Sequence, residues 1–257
     1  MSEHLSKAQI KWVRSLQQKK QRDAEGVFVA EGHKCVEELR GAFELVLMVT
    51  PDNATEVEIA QMSNLRTPQG VIGVFRKRSI TSSPHHLITS SPHHLITSSP
   101  QGLSLALDGV QDPGNLGTII RTCDWFGIRN ILCSRDTADC YNPKVVQATM
   151  GALARVQLHY IDLKEWLLQA HEARMPIYGT LLEGENMYDA GAIADKDKGV
   201  IIMGNEGNGI SQPVAALINR KLLIPNYPEG CATSESLNVA IATAVVCAEF
   251  RRTASLK

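Results

Sequence analysis

Short apolar blocks alternate with polar ones along the whole chain, and their spacing changes between the periods of strands and helices. Near the start, Ser6 followed by Gln9 has the pattern of a capping box, which predicts a helix from there to about Ala24. Further strands are predicted at 27–29, 45–49 and 71–75, and helices at 32–40 and 56–62. This alternation predicts a small α/β domain over residues 1–78.

From Leu103 onward the alternation becomes regular. Apolar runs predict buried strands at 103–107, 130–133, 156–160, 177–181, 200–203 and 221–224. Amphipathic segments predict helices at 115–126, 143–153, 162–173, 212–219 and 235–251. Apolar strands that alternate with helices indicate a mostly parallel sheet with helices on both faces. In such a sheet, ligands bind at the carboxyl ends of the strands.

Between these two regions lies a short tandem repeat. The octapeptide Ile80–Leu87 recurs as Ile88–Leu95, and Ile96–Pro100 begins a third copy. Its prolines disfavour a helix and its Ser, Thr and His residues bury little, so we predict an extended linker over 79–101. The paired histidines could ligate a metal, but a tandem duplication in a tolerant linker is the simpler explanation. We therefore expect two domains, 1–78 and 102–257, and no metal site.

Composition excludes several classes of protein. Apolar residues make up 44% of the chain, enough for an ordinary core, but no apolar run is long enough to span a bilayer. The first residues lack the apolar core of a secretion signal. The six cysteines form no Cys-x-x-Cys pair and mostly sit in apolar surroundings, which favours reduced, buried thiols. We therefore predict a cytoplasmic protein without a membrane partner.

Basic residues are concentrated in two places, although the net charge of the chain is only −1. From residue 7 to residue 22 every charge is positive, and a second cluster lies at 76–78. A solvated helix face would explain these charges, and a surface that contacts RNA phosphates is the alternative. The candidate RNA-contacting residues are Lys7, Lys11, Arg14, Lys19, Lys20 and Arg22.

Three polar motifs begin where predicted strands end. The first starts with Asp112-Pro-Gly, which is turn chemistry, and Asn115 is the expected N-cap of the next helix. Arg121 follows Gly117 by one helical turn, and its side chain should lean toward the helix start, where backbone N–H groups point outward. This predicts an anion site. An ordinary helix with Arg121 in a surface salt bridge is the alternative.

The second motif, Met203–Ser211, has the wrong glycine spacing for a dinucleotide fingerprint. It still follows a buried strand, so its backbone could approach a ligand, with Glu206 at the rim of the cleft. A glycine-rich turn with a solvated glutamate is the alternative.

In the third motif, Ser236 and Asn238 stand on either side of Leu237 at the start of the last helix. The predicted apolar stripe of that helix contains Leu237, Ile241, Ala244, Val245 and Ala248.

Taken together and in this order, the three motifs resemble the signatures of the SpoU/TrmH family of RNA ribose 2′-O-methyltransferases, in the SPOUT superfamily. The resemblance covers roughly 103–251. The segment from Gly26 to Gly32 resembles, less specifically, the ribosomal-protein-like (L30e/L7Ae-like) RNA-binding domain that often precedes the catalytic domain. The resemblance implies an α/β fold whose mostly parallel sheet carries a trefoil-knotted cofactor site.

The resemblance also implies a chemistry. S-adenosylmethionine would be the methyl donor, and because this donor is already activated, no metal is needed. The family match places the catalytic role on Arg121, Asn115, Glu206, Ser236 and Asn238. It places cofactor binding on Gly204, Ile224, Leu237, Thr180 and Leu181. It implies a homodimer, and the accessory domain favours rRNA over tRNA as the substrate.

The resemblance leaves two features of the site undecided: the role of Arg121 and the effect of the longer stretch before Ser236. Family members assign proton removal to the arginine that corresponds to Arg121, but a guanidinium normally stays protonated and could instead bind the neighbouring phosphate. The stretch between Ile224 and Ser236 is longer than in compact members of the family.

The alternatives are a tRNA ribose methyltransferase, a non-catalytic RNA-binding relative, a base-modifying enzyme of the same superfamily and a nucleotide-dependent oxidoreductase. A pure binder has no need of all five polar motif residues, and the Ser-Leu-Asn sequence favours ribose chemistry. The absence of a dinucleotide fingerprint from the sequence argues against the oxidoreductase.

Overall fold

The computed structural model describes residues 4–78, 102–193, 197–228, 231, 234 and 236–254. The chain divides into two compact units, of which unit one comprises Met1–Ile80 and Asp139–Arg155, and unit two comprises Thr81–Ala138 and Val156–Lys257. The predicted linker and its histidine pairs lie outside the described residues. Segment 139–155, which we expected in the second domain, therefore groups with unit one. The domain boundaries themselves stay a prediction.

Unit one is built around a three-stranded antiparallel sheet with the order β1-β3-β2. Its elements are α1 (Lys7–Ser15), α2 (Lys19–Glu25), β1 (Val27–Glu31), α3 (His33–Arg40), β2 (Leu45–Val49), α4 (Glu56–Met62), β3 (Ile72–Arg76) and, from the later segment, α6 (Pro143–Thr149) and a 3-10 turn (Ala152–Ala154). Every residue of β1 is buried, and α1 packs Ile10 and Val13 into the same core. The capping box of Ser6 and Gln9 is confirmed.

The single helix predicted from Ser6 to Ala24 is wrong, because the chain breaks into α1 and α2 at residues 16–18. Leu16 is fully buried at the break. The carbonyl oxygens of Leu16 and Gln17 accept hydrogen bonds from Arg22 Nη1 at 3.1 and 2.9 Å. Carbonyl groups left free at a helix end need such a partner, and Arg22 supplies it from inside the protein.

The helix predicted at 143–153 is also shorter than expected. It ends at Met150 and Gly151, which both adopt positive φ angles of 51° and 89°. A left-handed backbone ends an α-helix, and the chain then makes only a 3-10 turn. This segment is fastened within unit one by Arg22, which pairs with Asp139 at 2.8 Å, and by Tyr141, whose ring lies 4.8 Å from that of Phe28.

Unit two contains a six-stranded sheet with the order β6-β5-β4-β8-β7-β9, and every neighbouring pair is parallel. Its elements are β4 (Leu103–Asp108), α5 (Pro113–Trp125), β5 (Asn130–Cys133), β6 (Gln157–Tyr160), α7 (Leu163–Glu172), β7 (Ile177–Asn186), β8 (Gly199–Gly204), α8 (Gln212–Ala215), β9 (Arg220–Leu223) and α9 (Val239–Ala254). The predicted mostly parallel α/β sheet is confirmed. The short α8 replaces the longer helix that we expected at 212–219.

Helices pack on the sheet, as buried parallel strands require. Trp166 and Leu167 of α7 pack with Ile177 and Ile202 of the strands. The ring of Phe250 in α9 lies 4.9 Å from the ring of Tyr178 in β7. Both central strands, β4 and β8, are buried along almost their whole length.

The apolar stripe predicted for the last helix is not its buried face: Ala244 and Val245 are half-buried and the other three residues are exposed. Leu237, just before α9, and Ile241 within it have 49% and 53% of their side chains exposed, and Ala248 is exposed too. The buried face of α9 is instead formed by Val239, Ala240, Ala242, Thr243, Val246, Cys247 and Phe250. The helix is apolar nearly all round, so its sequence carries little information about which side is buried.

The cysteines confirm the expectation of buried thiols. All six are free, and all but Cys231 are buried. Burial raises the pKa of Cys35 to about 11 and that of Cys247 to about 12, so both thiols stay protonated at neutral pH.

Within the described part of the chain, no helix has the length and hydropathy to cross a bilayer. The described residues also contain no group of three or more His, Cys, Asp or Glu side chains that could hold a metal.

Candidate active site

The loops that follow the central strands β4 and β8 are joined by hydrogen bonds. Asn205 Nδ2 donates to the Gly109 carbonyl at 2.6 Å, and the Gly109 N–H donates to Ser134 Oγ at 2.8 Å. Gly109 has φ +74°, a conformation that favours glycine. The backbone N–H of Ser211 donates to Asp108 Oδ2 at 2.7 Å. These contacts fix the second motif against the end of the neighbouring strand.

The loop at 205–209 is a tight turn held by Asn205. Its side-chain oxygen accepts from the backbone N–H groups of Gly207 and Asn208 at 2.9 and 3.0 Å, and its backbone exchanges two hydrogen bonds with Gly209. A Cβ atom on Gly204 would lie only 2.2 Å from the carbonyl carbon of Gly209. Glycine at 204 is therefore needed because the turn folds directly back onto it.

The first motif begins α5 differently from what we predicted. Asp112, and not Asn115, is the N-cap, and its side chain accepts from the Asn115 backbone N–H at 2.7 Å. Pro113 occupies the first helical turn, where no backbone donor is required. Asn115 therefore sits inside the first turn, and its side chain is free to act elsewhere.

One chain of hydrogen bonds links all three motifs. Asn238 Nδ2 donates to Asn115 Oδ1 at 2.9 Å, and Asn115 Nδ2 donates to Glu206 Oε1 at 3.1 Å. The backbone N–H groups of Gln111 and Asp112 also donate to the Glu206 carboxylate, at 3.2 and 3.0 Å. The predicted residues Asn115, Glu206 and Asn238 are thus brought together.

The environment of Glu206 keeps its side chain ionised. Partial burial raises the pKa of this carboxyl group, but the hydrogen bonds donated by Asn115 and by the nearby backbone more than offset burial, so its pKa lies below the ordinary value. A carboxylate that accepts three donors from the α5 start holds the loop after β8 against that helix.

Asn238 also caps the N-terminus of α9. Its Oδ1 accepts from the backbone N–H groups of Ala240 and Ile241 at 3.0 and 3.3 Å. One amide therefore caps the helix with its oxygen and reaches Asn115 with its nitrogen. Because the third motif is a helix cap, the position of α9 and the position of Asn115 are coupled.

Four of the five predicted cofactor residues belong to three neighbouring strands: Gly204 ends β8, Thr180 and Leu181 lie within β7, and Ile224 follows β9. Thr180 Oγ1 lies 3.9 Å from the sulfur of Met203, which precedes Gly204. Leu181 begins an irregularity in β7, where Thr180 and Glu185 both pair with Leu222. Ile224 directly follows β9. Leu181 and Ile224 are both half-buried.

Comparison with known proteins decides the family. The model of the SpoU rRNA methylase family matches residues 102–248, which include all three motifs, and an MRM3-like substrate-binding domain matches residues 7–57. The chain belongs to the SpoU rRNA methylase family. The predicted activity, RNA ribose 2′-O-methylation with S-adenosylmethionine as the donor, is confirmed at the level of this family.

Several relatives are similar to this SpoU methylase over nearly their full length. It is 26% identical to the 23S rRNA (guanosine(2553)-2′-O)-methyltransferase RlmP of Bacillus subtilis, over 94% of this chain and 95% of that protein. A TrmH-family RNA methyltransferase structure from Porphyromonas gingivalis is 37% identical, with a TM-score of 0.80, and covers 97% of this chain and 99% of its own. An AdoMet-bound rRNA methyltransferase from Sinorhizobium meliloti is 28% identical, with a TM-score of 0.81 and coverage of 98% and 97%.

Two predicted catalytic residues of the SpoU methylase stay outside the hydrogen-bond chain. Arg121 and Ser236 are exposed, and neither side chain forms a hydrogen bond or ion pair with any residue that the structure describes. Leu237, which follows Ser236, is half-exposed. Their assignment to catalysis and cofactor binding stays a prediction.

The candidate RNA-contacting residues divide into two groups. Lys7, Lys11 and Arg14 are exposed and share one face of α1, and Lys20 is exposed on α2. The amine of Lys19 pairs with Asp23 at 2.6 Å. The guanidinium of Arg22 is 2% exposed and is occupied within unit one, so we withdraw Arg22 from the set.

The basic residues at 76–78 also bond to other residues of unit one. Arg76 pairs with Glu44, Lys77 pairs with Asp23, and the Arg78 guanidinium donates to the Ala154 carbonyl and stacks on Phe43.

Sequence reasoning missed Asp108 and Asn205, which tie the two strand-end loops together. Asn205 stands inside the quoted second motif, and its position directly after a strand was the available signal. Asparagine side chains often accept hydrogen bonds from backbone N–H groups two and three residues ahead, and this property predicts the tight turn at Asn205.

Proposed function

We propose that this chain transfers a methyl group from S-adenosylmethionine to a ribose 2′-hydroxyl of ribosomal RNA. The observation that carries the proposal is the hydrogen-bond chain from Asn238 through Asn115 to Glu206. It gathers polar groups from three distant parts of the sequence at the carboxyl edge of a parallel sheet, where ligands bind. Its members hold one another in place before any substrate arrives, which is what orientation of two reactants requires.

The strand ends fit the proposed donor. The half-buried side chains of Leu181 and Ile224, with the half-exposed Leu237, offer apolar surface for an adenine ring. Thr180 and Gly204 lie on the neighbouring strands β7 and β8. When bound, S-adenosylmethionine supplies a methyl group on a sulfonium, so the protein need only orient the acceptor and help remove its proton.

Arg121 is the residue that we assign to the acceptor. It is exposed and uncommitted among the described residues, and its guanidinium carries a permanent charge suited to a backbone phosphate or to the developing charge on the 2′-oxygen. Ser236 would orient the ribose. A role for Arg121 as proton acceptor is the other possibility, and Arg121→Lys separates the two. A lysine retains the charge but not the fork geometry, and unlike an arginine it can lose its proton. A rate of Arg121→Lys that rises with pH would support the role as proton acceptor, and a pH-independent rate would support a charge contact.

A second copy of the chain is the proposed occupant of the exposed face of α9. Ile241 and Leu237 are half-exposed there, and the end of α5 lies against α9 through the Arg251 Nε bond to the Phe126 carbonyl at 2.7 Å. Trp125, next to Phe126, is 85% exposed. Apolar side chains on neighbouring helices suit a homodimer interface. Sedimentation of the wild type and of Ile241→Glu tests this, with a dimer expected only for the wild type.

Unit one is the proposed RNA-binding part, and the exposed cations of α1 are its phosphate contacts. The MRM3-like match to residues 7–57 and the rRNA-directed names of the relatives favour rRNA over tRNA. A cytoplasmic location and the trefoil knot at the cofactor site stay predictions.

The experiment is direct. The protein is incubated with methyl-labelled S-adenosylmethionine and total RNA from its own source, and the label is followed in separated rRNA and tRNA. We expect the label in rRNA, at a position that resists alkaline cleavage because its 2′-oxygen is blocked. Label in tRNA would support the tRNA alternative, and label on a base would contradict ribose chemistry. A non-catalytic relative would bind RNA but transfer nothing.

A further inference from the structure

Unit one contains a cleft that the methyl-transfer site does not use. Its volume is about 260 Å³, and its walls come from β1, from the loop after α4 and from α6. The apolar part of the wall is formed by Val29, Leu65 and Pro143. Because α6 belongs to unit one, all of these walls lie within a single compact unit.

The polar part of the cleft contains groups that are only partly satisfied. Glu31 is almost fully buried, and its carboxylate accepts from Ser63 Oγ at 2.5 Å and from the backbone and side-chain nitrogens of Asn64 at 2.6 and 3.2 Å. Three of its roughly four acceptor positions are thus used. The side-chain oxygen of Asn64 and the amide of Gln147 form no hydrogen bond with the described residues.

The charge at the rim favours an anionic ligand. Lys144 lines the cleft, is exposed, and makes no ion pair with a described residue, and the exposed Arg66 directly follows Leu65. A cleft with apolar walls, a buried carboxylate, an exposed amide and a cationic rim suits a flat heterocycle attached to a phosphate. Its volume lies below the range of about 300–1,000 Å³ for drug-sized ligands, as expected for a single base.

We propose that this cleft holds one unpaired guanine of the RNA substrate, a proposal that rests on the RNA-directed function proposed above. Proteins read single-stranded RNA by enclosing unstacked bases and bonding their Watson–Crick edges. Guanine presents two adjacent donors on that edge, N1–H and the N2 amino group. The remaining acceptor position of Glu31 and the free oxygen of Asn64 supply two acceptors. Gln147 is available for O6, and Lys144 for the attached phosphate.

The test measures binding without catalysis. Fluorescently labelled RNA hairpins with one common stem carry either an all-uridine loop or the same loop with a single guanosine, adenosine or cytidine. Their affinities for the full-length protein are measured by anisotropy. We expect the guanosine loop to bind about tenfold more tightly than the uridine loop. Gln147→Ala should reduce this preference several-fold, and Ala148→Leu, which fills the cleft, should abolish it.

Controls separate the cleft from the rest of the protein. Gln157→Ala, an exposed glutamine on β6 of unit two, should keep the full preference for guanosine. Unfolding midpoints and calorimetric binding of S-adenosylmethionine should be the same in all variants, which excludes a loss of fold. Equal binding of all loops by the wild type, preference for another base, or full preference in a folded Ala148→Leu protein would overturn the proposal. Because no methyl transfer is measured, failure here is distinct from failure of the proposed enzyme activity.

Discussion

The strand-end site of unit two and the basic segment of unit one differ in how far their polar groups are already bonded within the protein. In the site, Asn115, Glu206 and Asn238 bond one another. In the basic segment, Lys7 and Lys11 face solvent and form no ion pair with a described residue. The site therefore depends on geometry fixed in advance, whereas the basic face depends on charge that salt can screen.

Each region also contains its own exception. Arg121 belongs to the first motif, but its side chain forms no bond with a described residue. Arg22 lies in the basic segment, but it is buried and both of its terminal nitrogens are bonded within unit one. Position in a motif or a charge run thus does not decide whether an arginine serves the ligand or the fold. Burial and partners decide it, and substitution of these two residues should have opposite consequences.

The largest expected effect is on the rate of Arg121→Ala. We expect methyl transfer to fall by about 10²–10⁴-fold, because the group aimed at the acceptor is lost, while the affinity for S-adenosylmethionine stays nearly unchanged. Single-turnover transfer of labelled methyl groups and calorimetry measure the two. Arg220→Ala, at the opposite end of β9 from the site, is the matched control. Wild-type activity in Arg121→Ala would refute the assignment.

Arg22→Ala should affect stability instead. Removal of the guanidinium leaves Asp139 Oδ2 and two carbonyl groups without their Arg22 partner, so we expect the free energy of unfolding to fall by about 3–5 kcal/mol. Denaturant unfolding measures this. Arg14→Ala, an exposed arginine on α1, should change stability by less than about 0.5 kcal/mol. A comparable loss in both variants would contradict the distinction between the two helices.

The combined substitution Lys7→Ala, Lys11→Ala and Arg14→Ala tests the exposed face of α1. We expect weaker RNA binding, with the slope of log affinity against log salt reduced by about 1 for each cation that contacts a phosphate. Filter binding over a salt series gives the slope, and thermal unfolding should be unchanged. Lys164→Ala, on α7 of unit two, controls for the loss of a single exposed charge. An unaltered slope in the triple variant would remove α1 from the RNA surface.

The smallest effect is expected for Glu206→Gln, and it depends on pH. The folded pKa of Glu206 lies below its ordinary value of 4.5, so ionised Glu206 stabilises the fold above that pH. The contribution is lost as the pH falls through the lowered pKa. Because the group is partly exposed, we expect about 1 kcal/mol or less. The stability difference between wild type and variant should be constant near neutral pH and shrink below pH 4.5, and a difference that grows in acid would contradict the hydrogen-bond geometry.

Much of unit two could be predicted because its strands and turns are determined by residues that are close together in the sequence. Apolar runs identify the parallel strands, and the turn residues that follow them place Asn115, Glu206 and Asn238 at the same edge. Even so, the N-cap was misplaced by three residues, since Asp112 and Asn115 are equally good caps and only the bond from Asp112 to the Asn115 backbone distinguishes them.

The remaining errors concern long-range packing. Nothing near Arg22 in the sequence reveals Asp139, which lies 117 residues away, so neither the burial of Arg22 nor the helix break beside it could be foreseen. The apolar residues of α9 on its exposed side look the same as those on its buried side. The position of β8 between β4 and β7 likewise depends on contacts between strands that are far apart in the sequence.

The assignment of segment 139–155 to unit one has a topological consequence. The polypeptide leaves unit two at Ala138, completes unit one with α6, and returns at Val156. A protease cut within the octapeptide repeats would therefore not separate the units, because β1 would still be packed on α6 in the other fragment. The covalent connection between the units therefore does not depend on the repeat segment alone.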